Sequence, residues 1–206
     1  MPLFNPNEVV IETAKLMCTA ARTAPKTKGV DLLTVFFLLP DEFAPLVTGL
    51  EQMSQKYDHL RSFRPYERDL DSLRNADALV VIGSRRKLMD IAGCDACGFS
   101  GDPNGCKAAA KAGATCAYNA KDLGIALCSA ALIAHQRLID NRIIDTVGRV
   151  IVNEKLYPEY CPQPIFDAAA VGLSVSGKNP FFDRLEMKQE RKANAGRTAD
   201  RDAEAP

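Results

Sequence analysis

Cys94, Cys97, Cys106 and Cys116 fall in one short stretch that also carries glycines at 93, 98, 101 and 105 and the turn formers Asp95, Asp102, Pro103 and Asn104. Such a segment cannot build a packed core by itself, because Gly, Pro, Asn and Asp favour turns over helix or strand. Free cysteine is often buried, but these polar surroundings count against four unrelated thiols in an interior. Thiolates are soft ligands that select zinc or iron–sulfur clusters. A metal centre is therefore the first expectation.

The spacing C-x2-C-x8-C-x9-C is neither the compact cysteine run of bacterial ferredoxins nor the paired C-x2-C knuckles of a zinc ribbon. Spacing alone leaves both metals open. A thioredoxin-type pair needs only two cysteines opening a helix after a strand, and Cys106 and Cys116 argue against it.

With 206 residues, 47% of them hydrophobic, the chain is long enough for one substantial core and short for two. We expect a single domain over residues 1–185, with the cysteine cluster at about 93–117, followed by a polar, alternately charged tail at 186–206. Lys plus Arg and Asp plus Glu number 26 each. No global field draws the chain to nucleic acid or an anionic membrane. The first residues lack the apolar core of a signal peptide, and no run approaches the roughly 18 apolar residues of a membrane span, so a soluble, cytoplasmic protein is expected. Seven cysteines, an odd number with local clustering, do not describe a secreted disulfide framework.

Along the chain, Asn7 is expected to cap a helix whose apolar face is Val9, Val10, Ala14, Met17 and Ala21, and which ends near Thr23 because Pro25 follows. Asp31 to Leu39, with Val35, Phe36 and Phe37, reads as a strand covered on both faces. Pro40 and Asp41 open a helix to about Tyr57. Ala78 to Gly83 reads as a second buried strand, which leads through Ser84, Arg85, Arg86 and Lys87 into the cysteine loop. Asn119 and Asp122 resemble a capping-box start for a helix through Leu123 to Ala134. Its apolar residues fall on every face, so it is expected to be buried all round, at the domain centre or across a dimer interface. Asp140-Asn141-Arg142 reads as a turn before a helix over residues 143–155, and Ile165 to Val175 as a third strand. His59 and His135 sit in no nucleophile–base pattern.

Five segments carry a resemblance: Ala20 to Asp31, Cys94-Asp95-Ala96-Cys97-Gly98-Phe99, Asp122 to Ala126, Asp140-Asn141-Arg142 and Ser176 to Arg184. In this order they resemble the DUF2148 ferredoxin-domain-containing family over most of residues 8–185. Two departures stand out. Ser100 to Gly105 lengthen the loop before the third cysteine, and Cys128 stands where the family commonly has glycine. The order of elements is also similar to that of nitroreductase-like flavoproteins, which implies an α+β fold with a central sheet flanked by helices and a Cys-rich metal-cluster loop inserted in it. In those proteins the first helix ends in an Arg-containing segment, and a late segment returns to the same FMN phosphate. By that likeness Arg22, Thr23 and Lys26, with Lys28 beside them, form the first half of a phosphate site, and Lys178 and Arg184 the second. Guanidinium and ammonium donors converging from distant segments suit a phosphate dianion.

The function expected is that of an iron–sulfur redox protein. It holds a cluster, 4Fe-4S by the resemblance, on Cys94, Cys97, Cys106 and Cys116, beside an FMN site at a homodimer interface, and passes electrons to a small acceptor or a redox partner. The alternative is a non-enzymatic module in which zinc on the same thiols staples the loop.

Overall fold

The computed structural model describes residues 4–60, 64–99, 105–177 and 179–182. Its sheet has four antiparallel strands in the order β1-β2-β4-β3. These are β1 (Leu33–Leu38), β2 (Ala78–Ser84), β3 (Asp140–Ile144) and β4 (Asp167–Ser174). The helices are α1 (Pro6–Thr23), α2 (Ala44–Tyr57), α3 (Pro65–Arg74), α4 (Gly105–Lys111), α5 (Ala117–Gln136) and α6 (Asp145–Glu154).

The sheet is sandwiched between two helical layers. Side chains alternate across a strand, so Val80 and Ile82 of β2 and Val171 and Leu173 of β4 join a core with α1 and α5. Leu79, Val81 and Ala170 face the opposite core, against α2, α3 and α6. Covering both faces buries every residue of β2, which is why it reads as a continuous apolar run. β1 is an edge strand paired only with β2, and Thr34, Val35 and Phe37 are half-buried, so its cover is less complete than its sequence predicts.

Local chemistry sets the element ends. The cap of α1 is Asn5, whose side chain accepts from the Asn7 N–H at 3.1 Å, with Pro6 in the first turn. Asn7 is thus inside the helix. The expected stop at Thr23 is present, with Ala24 beyond it. Pro40 to Glu42 form a 3₁₀ turn before α2. Gly148 lets α6 lie flush on β4, since a Cβ there would meet the Ala168 carbonyl oxygen at 1.7 Å.

Two further expectations are corrected. Asp140-Asn141-Arg142 is not a turn but the start of β3, pairing with Ser174, Leu173 and Gly172; the helix begins after it, at Asp145. Asn119 and Asp122 do not cap α5, which starts at Ala117 with Cys116 as its uncapped N-terminal flank. Both are instead buried inside the helix and bind loops. Within one chain α5 buries one face, Leu123, Ala126, Leu127, Ala130 and Ala134, and exposes Ile125, Cys128 and Leu132, so it does not sit at the domain centre. The sequence reading had no element at α3 or α4, although Tyr66, Leu70 and Leu73 recur at helical spacing on the buried face of α3. The tail at 186–206 lies outside the described residues.

Candidate metal centre

β2 is the buried base from which residues 85–99 emerge, and α4 and the first turn of α5 close over them. Arg85 ties the exit of β2 to the start of β1: its Nη2 donates to the Asp31 carbonyl at 2.9 Å and its Nε to the Leu32 carbonyl at 3.4 Å. Turn hydrogen bonds shape the loop, Cys94 N–H to the Ile91 carbonyl and Gly98 N–H to the Asp95 carbonyl. The turn between α4 and α5 is a Schellman motif. Gly113 adopts φ +68°, its N–H donates to Ala110, and the Ala114 N–H donates to Ala109 at 2.9 Å. Only a residue comfortable at positive φ closes a helix this way. The reversal carries the chain from Cys106 in α4 back to Cys116 at the head of α5.

The result is a small cavity lined by all four sequence-predicted ligands, Cys94, Cys97, Cys106 and Cys116. Leu88, Met89, Ile91, Ala96, Ala117 and Tyr118 supply the rest of its wall, with Asp90 at the edge. Cys116 is buried and the other three are half-buried. Cys18 and Cys161 take no part in this cavity. Among the described residues no three Cys, His, Asp or Glu side chains are gathered tightly enough to hold one metal ion. These two observations concern different scales. A single zinc needs every sulfur about 2.3 Å from one point, whereas a multi-iron cluster takes its thiolates at its corners, farther apart. Four thiols on one apolar-walled cavity are a donor set of the kind that zinc or an iron–sulfur cluster takes.

Three polar contacts fix the surrounding loops. The Asn119 side-chain Oδ1 accepts the Lys87 N–H at 3.0 Å. Asp122, 6% exposed, accepts the Thr27 N–H at 3.0 Å and the Thr27 hydroxyl at 2.8 Å. The Lys28 ammonium donates to the Met89 carbonyl at 3.2 Å. The sequence reading missed the roles of Asn119 and Asp122. The apolar run Leu88-Met89 and Ile91 beside the cysteines was a signal for the cavity wall.

The expected phosphate-binding residues are brought together only in part. Arg22, Thr23 and Lys26 cluster at the end of α1, with donors engaged by protein oxygens. Arg22 Nη1 donates to Asp31 at 2.7 Å and to the Leu33 carbonyl at 2.9 Å. The Thr23 hydroxyl donates to the Thr19 carbonyl. The Lys26 ammonium donates to the Arg22 and Ala24 carbonyls, where a cation complements the helix C-terminus. The Arg22 side chain stays 46% exposed. Lys178 and Arg184 lie outside the described residues. Elsewhere lies a buried charge network: Asp69, fully buried, holds Arg68 through two hydrogen bonds and accepts from the Thr146 hydroxyl at 2.9 Å. Arg142 lies 3.8 Å from Asp69 and donates to the Phe181 carbonyl at 3.2 Å. His59 and His135 are exposed.

Residues 112–184 match the family described as "Uncharacterized protein containing a ferredoxin domain (DUF2148)". An uncharacterized protein of Archaeoglobus fulgidus is 34% identical over 189 residues, covering 88% of this chain and 95% of its own. The chain belongs to the DUF2148 family. Among solved structures, an FMN-bound nitroreductase from Desulfitobacterium hafniense superposes with a TM-score of 0.52 at 15% identity, covering 85% of this chain and 92% of that one. A BluB-like flavoprotein from Clostridium difficile also gives 0.52 at 15%, covering 86% and 92%. For the larger NfrA2 of Bacillus megaterium the TM-score is 0.47, at 13% identity over 82% of this chain, which spans 58% of that protein. The DUF2148 chain thus has the nitroreductase-like fold expected from its element order: an antiparallel four-stranded sheet flanked by helices. No helix among the described residues is long and apolar enough to cross a membrane.

Proposed function

We propose that this protein is an iron–sulfur redox protein whose cluster is held by Cys94, Cys97, Cys106 and Cys116. The ferredoxin-domain family and the nitroreductase-like fold point to redox chemistry. The observation that carries the specific reading is the convergence of the four thiols on one cavity with apolar walls. When bound, such a cluster supplies one-electron transfer. The protein's part is to hold thiolates from two sides: Cys94 and Cys97 from the loop after β2, Cys106 and Cys116 from the α4–α5 hairpin. Leu88, Met89 and Ile91 would keep water from the sulfurs, and exclusion of solvent is one determinant of cluster potential.

The proposal extends to FMN, which the Desulfitobacterium nitroreductase binds on the same fold. Arg22, with Thr23 and Lys26 at the end of α1, is the proposed first half of its phosphate site, and Lys178 or Arg184 the proposed counterpart from the late segment. Two copies would meet over the exposed apolar stripe of α5, as a homodimer of single domains spanning residues 1–185. The substrate class is a small electron acceptor or a redox protein.

The test is the colour and metal content of anaerobically purified protein. A broad absorbance near 400 nm with matching iron and acid-labile sulfide supports the cluster, and flavin bands add FMN. A colourless protein with one tightly held zinc would replace this reading with the structural staple.

A further inference from the structure

The buried carboxamide of Asn119 has an imbalance. The residue is 1% exposed, its Oδ1 accepts the Lys87 N–H, and its Nδ2 is buried with no hydrogen-bond partner, the one such side-chain atom among the described residues. Flipping the amide offers no relief, because it would set an NH2 against the Lys87 N–H, donor against donor. An unsatisfied buried donor is costly, so a native structure that keeps one has an acceptor for it. The position of Asn119 says which. It stands three residues after Cys116, the N-terminal flank of α5, and Ala117 and Tyr118 between them line the cysteine cavity. Its Oδ1 is anchored to the segment whose next residues, Leu88, Met89, Asp90 and Ile91, line the cysteine cavity. The orphaned N–H thus belongs to a residue that ties together two of the segments walling the metal centre.

We propose that Asn119 is a positioning and tuning residue of that centre: its Nδ2–H donates to a sulfur of the group held by the four cysteines. This rests on the iron–sulfur reading above. Hydrogen bonds to sulfur delocalise negative charge and favour the reduced cluster, so the donor raises the midpoint potential. The bond to Lys87 gives the carboxamide its orientation before the cluster is bound. An aspartate here would keep the acceptor for Lys87 and lose the donor, and an alanine would lose both.

The experiment uses full-length protein reconstituted anaerobically with iron and sulfide. The midpoint potential is measured for wild type, Asn119→Asp and Asn119→Ala, alongside iron and zinc content. Both variants are expected to retain iron and to show lower potentials. In reduced wild type carrying 15N in its asparagine side chains, pulsed electron paramagnetic resonance is expected to show a nitrogen coupling that Asn119→Asp abolishes. An unchanged potential in Asn119→Ala with full iron content overturns the proposal and leaves the cluster standing. If a variant fails to hold iron, the wild-type coupling decides: its absence overturns the proposal. A wild-type protein that takes up zinc and no iron removes the cluster and this inference together, and metal analysis alone identifies that outcome.

Discussion

The carboxylate of Asp122 is hydrogen-bonded to Thr27 across 95 positions of sequence, taking the backbone N–H at 3.0 Å and the hydroxyl at 2.8 Å. This clamp joins α5 to the loop after α1, whose Lys28 in turn holds Met89 at the cavity wall. Hydrogen bonds to a charged group contribute about 1.5–3 kcal/mol. Asp122→Ala should therefore lower the melting temperature by roughly 5 °C, taking about 2–4 °C per kcal/mol for a chain of this size. Thermal denaturation by circular dichroism checks it, and an unshifted Tm would show that water replaces the clamp.

Each thiol of the cavity should be needed for metal. Removing one of four thiolates opens the coordination shell, so Cys94→Ala, Cys97→Ala, Cys106→Ala and Cys116→Ala should each lose most bound metal, while Cys18→Ala and Cys161→Ala keep it. Full metal content in Cys106→Ala would take that residue out of the site.

Titration with FMN tests the end of α1. A charge-assisted contact to phosphate is worth about 1.5–3 kcal/mol, so Arg22→Ala should weaken FMN binding roughly ten-fold or more. Wild-type protein that binds no FMN would return Arg22 to a purely structural role, holding Asp31 and the Leu33 carbonyl.

That pair also predicts a pH dependence. Burial pushes the Asp31 carboxyl up, but hydrogen bonds from Arg22 and the Leu33 N–H, with the charges of Arg22 and Lys26, outweigh it and hold the group below its usual range. A depressed folded value stabilises the fold above the unfolded pKa of about 3.9, and this contribution is lost as pH falls through the folded value. The pair is partly exposed, so about 1 kcal/mol is the ceiling. Wild type and Asp31→Asn should differ in Tm at pH 6 and converge at pH 2; a constant difference would contradict the linkage.

Cysteine labelling reads the proposed dimer. Burial pushes the Cys18 thiol up to about 11, against the opposing charge of Arg22; only thiolate reacts, so Cys18 should label slowly at pH 8. Cys128 is exposed between Ile125 and Leu132 on α5. In a dimer over this stripe Cys128 is protected, and Leu132→Glu should expose it and shift sedimentation to monomer. Wild type that sediments as a monomer at micromolar concentration would sink the dimer.

The sequence made the buried elements legible because their patterns are local. β2 is a run of apolar residues, and α1 shows its helical face and its Pro25 stop. The grouping of the cysteines was legible for the same reason, four thiols in one stretch. What escaped depends on distant partners. Asn119 and Asp122 carry the chemistry of helix caps, and nothing local says that Lys87 and Thr27 claim them first. Asp140-Asn141-Arg142 has turn-forming residues, yet pairing with β4 and the pull of Asp69 on Arg142 draw it into a strand. The walls of the cavity come from segments that meet only in the folded chain.

Val80 and Val81 are joined by a peptide bond and belong to different cores. The sheet is a partition: Val80 shares its compartment with α1, which carries Arg22, and α5, which follows directly on Cys116, while Val81 faces α2, α3 and α6. A change in packing at Val81 is therefore felt first by the helices that do not hold the proposed cofactors, and one at Val80 by those that do. Proximity along the chain is thus a poor guide to which residues share a fate here, and the side of the sheet is a good one.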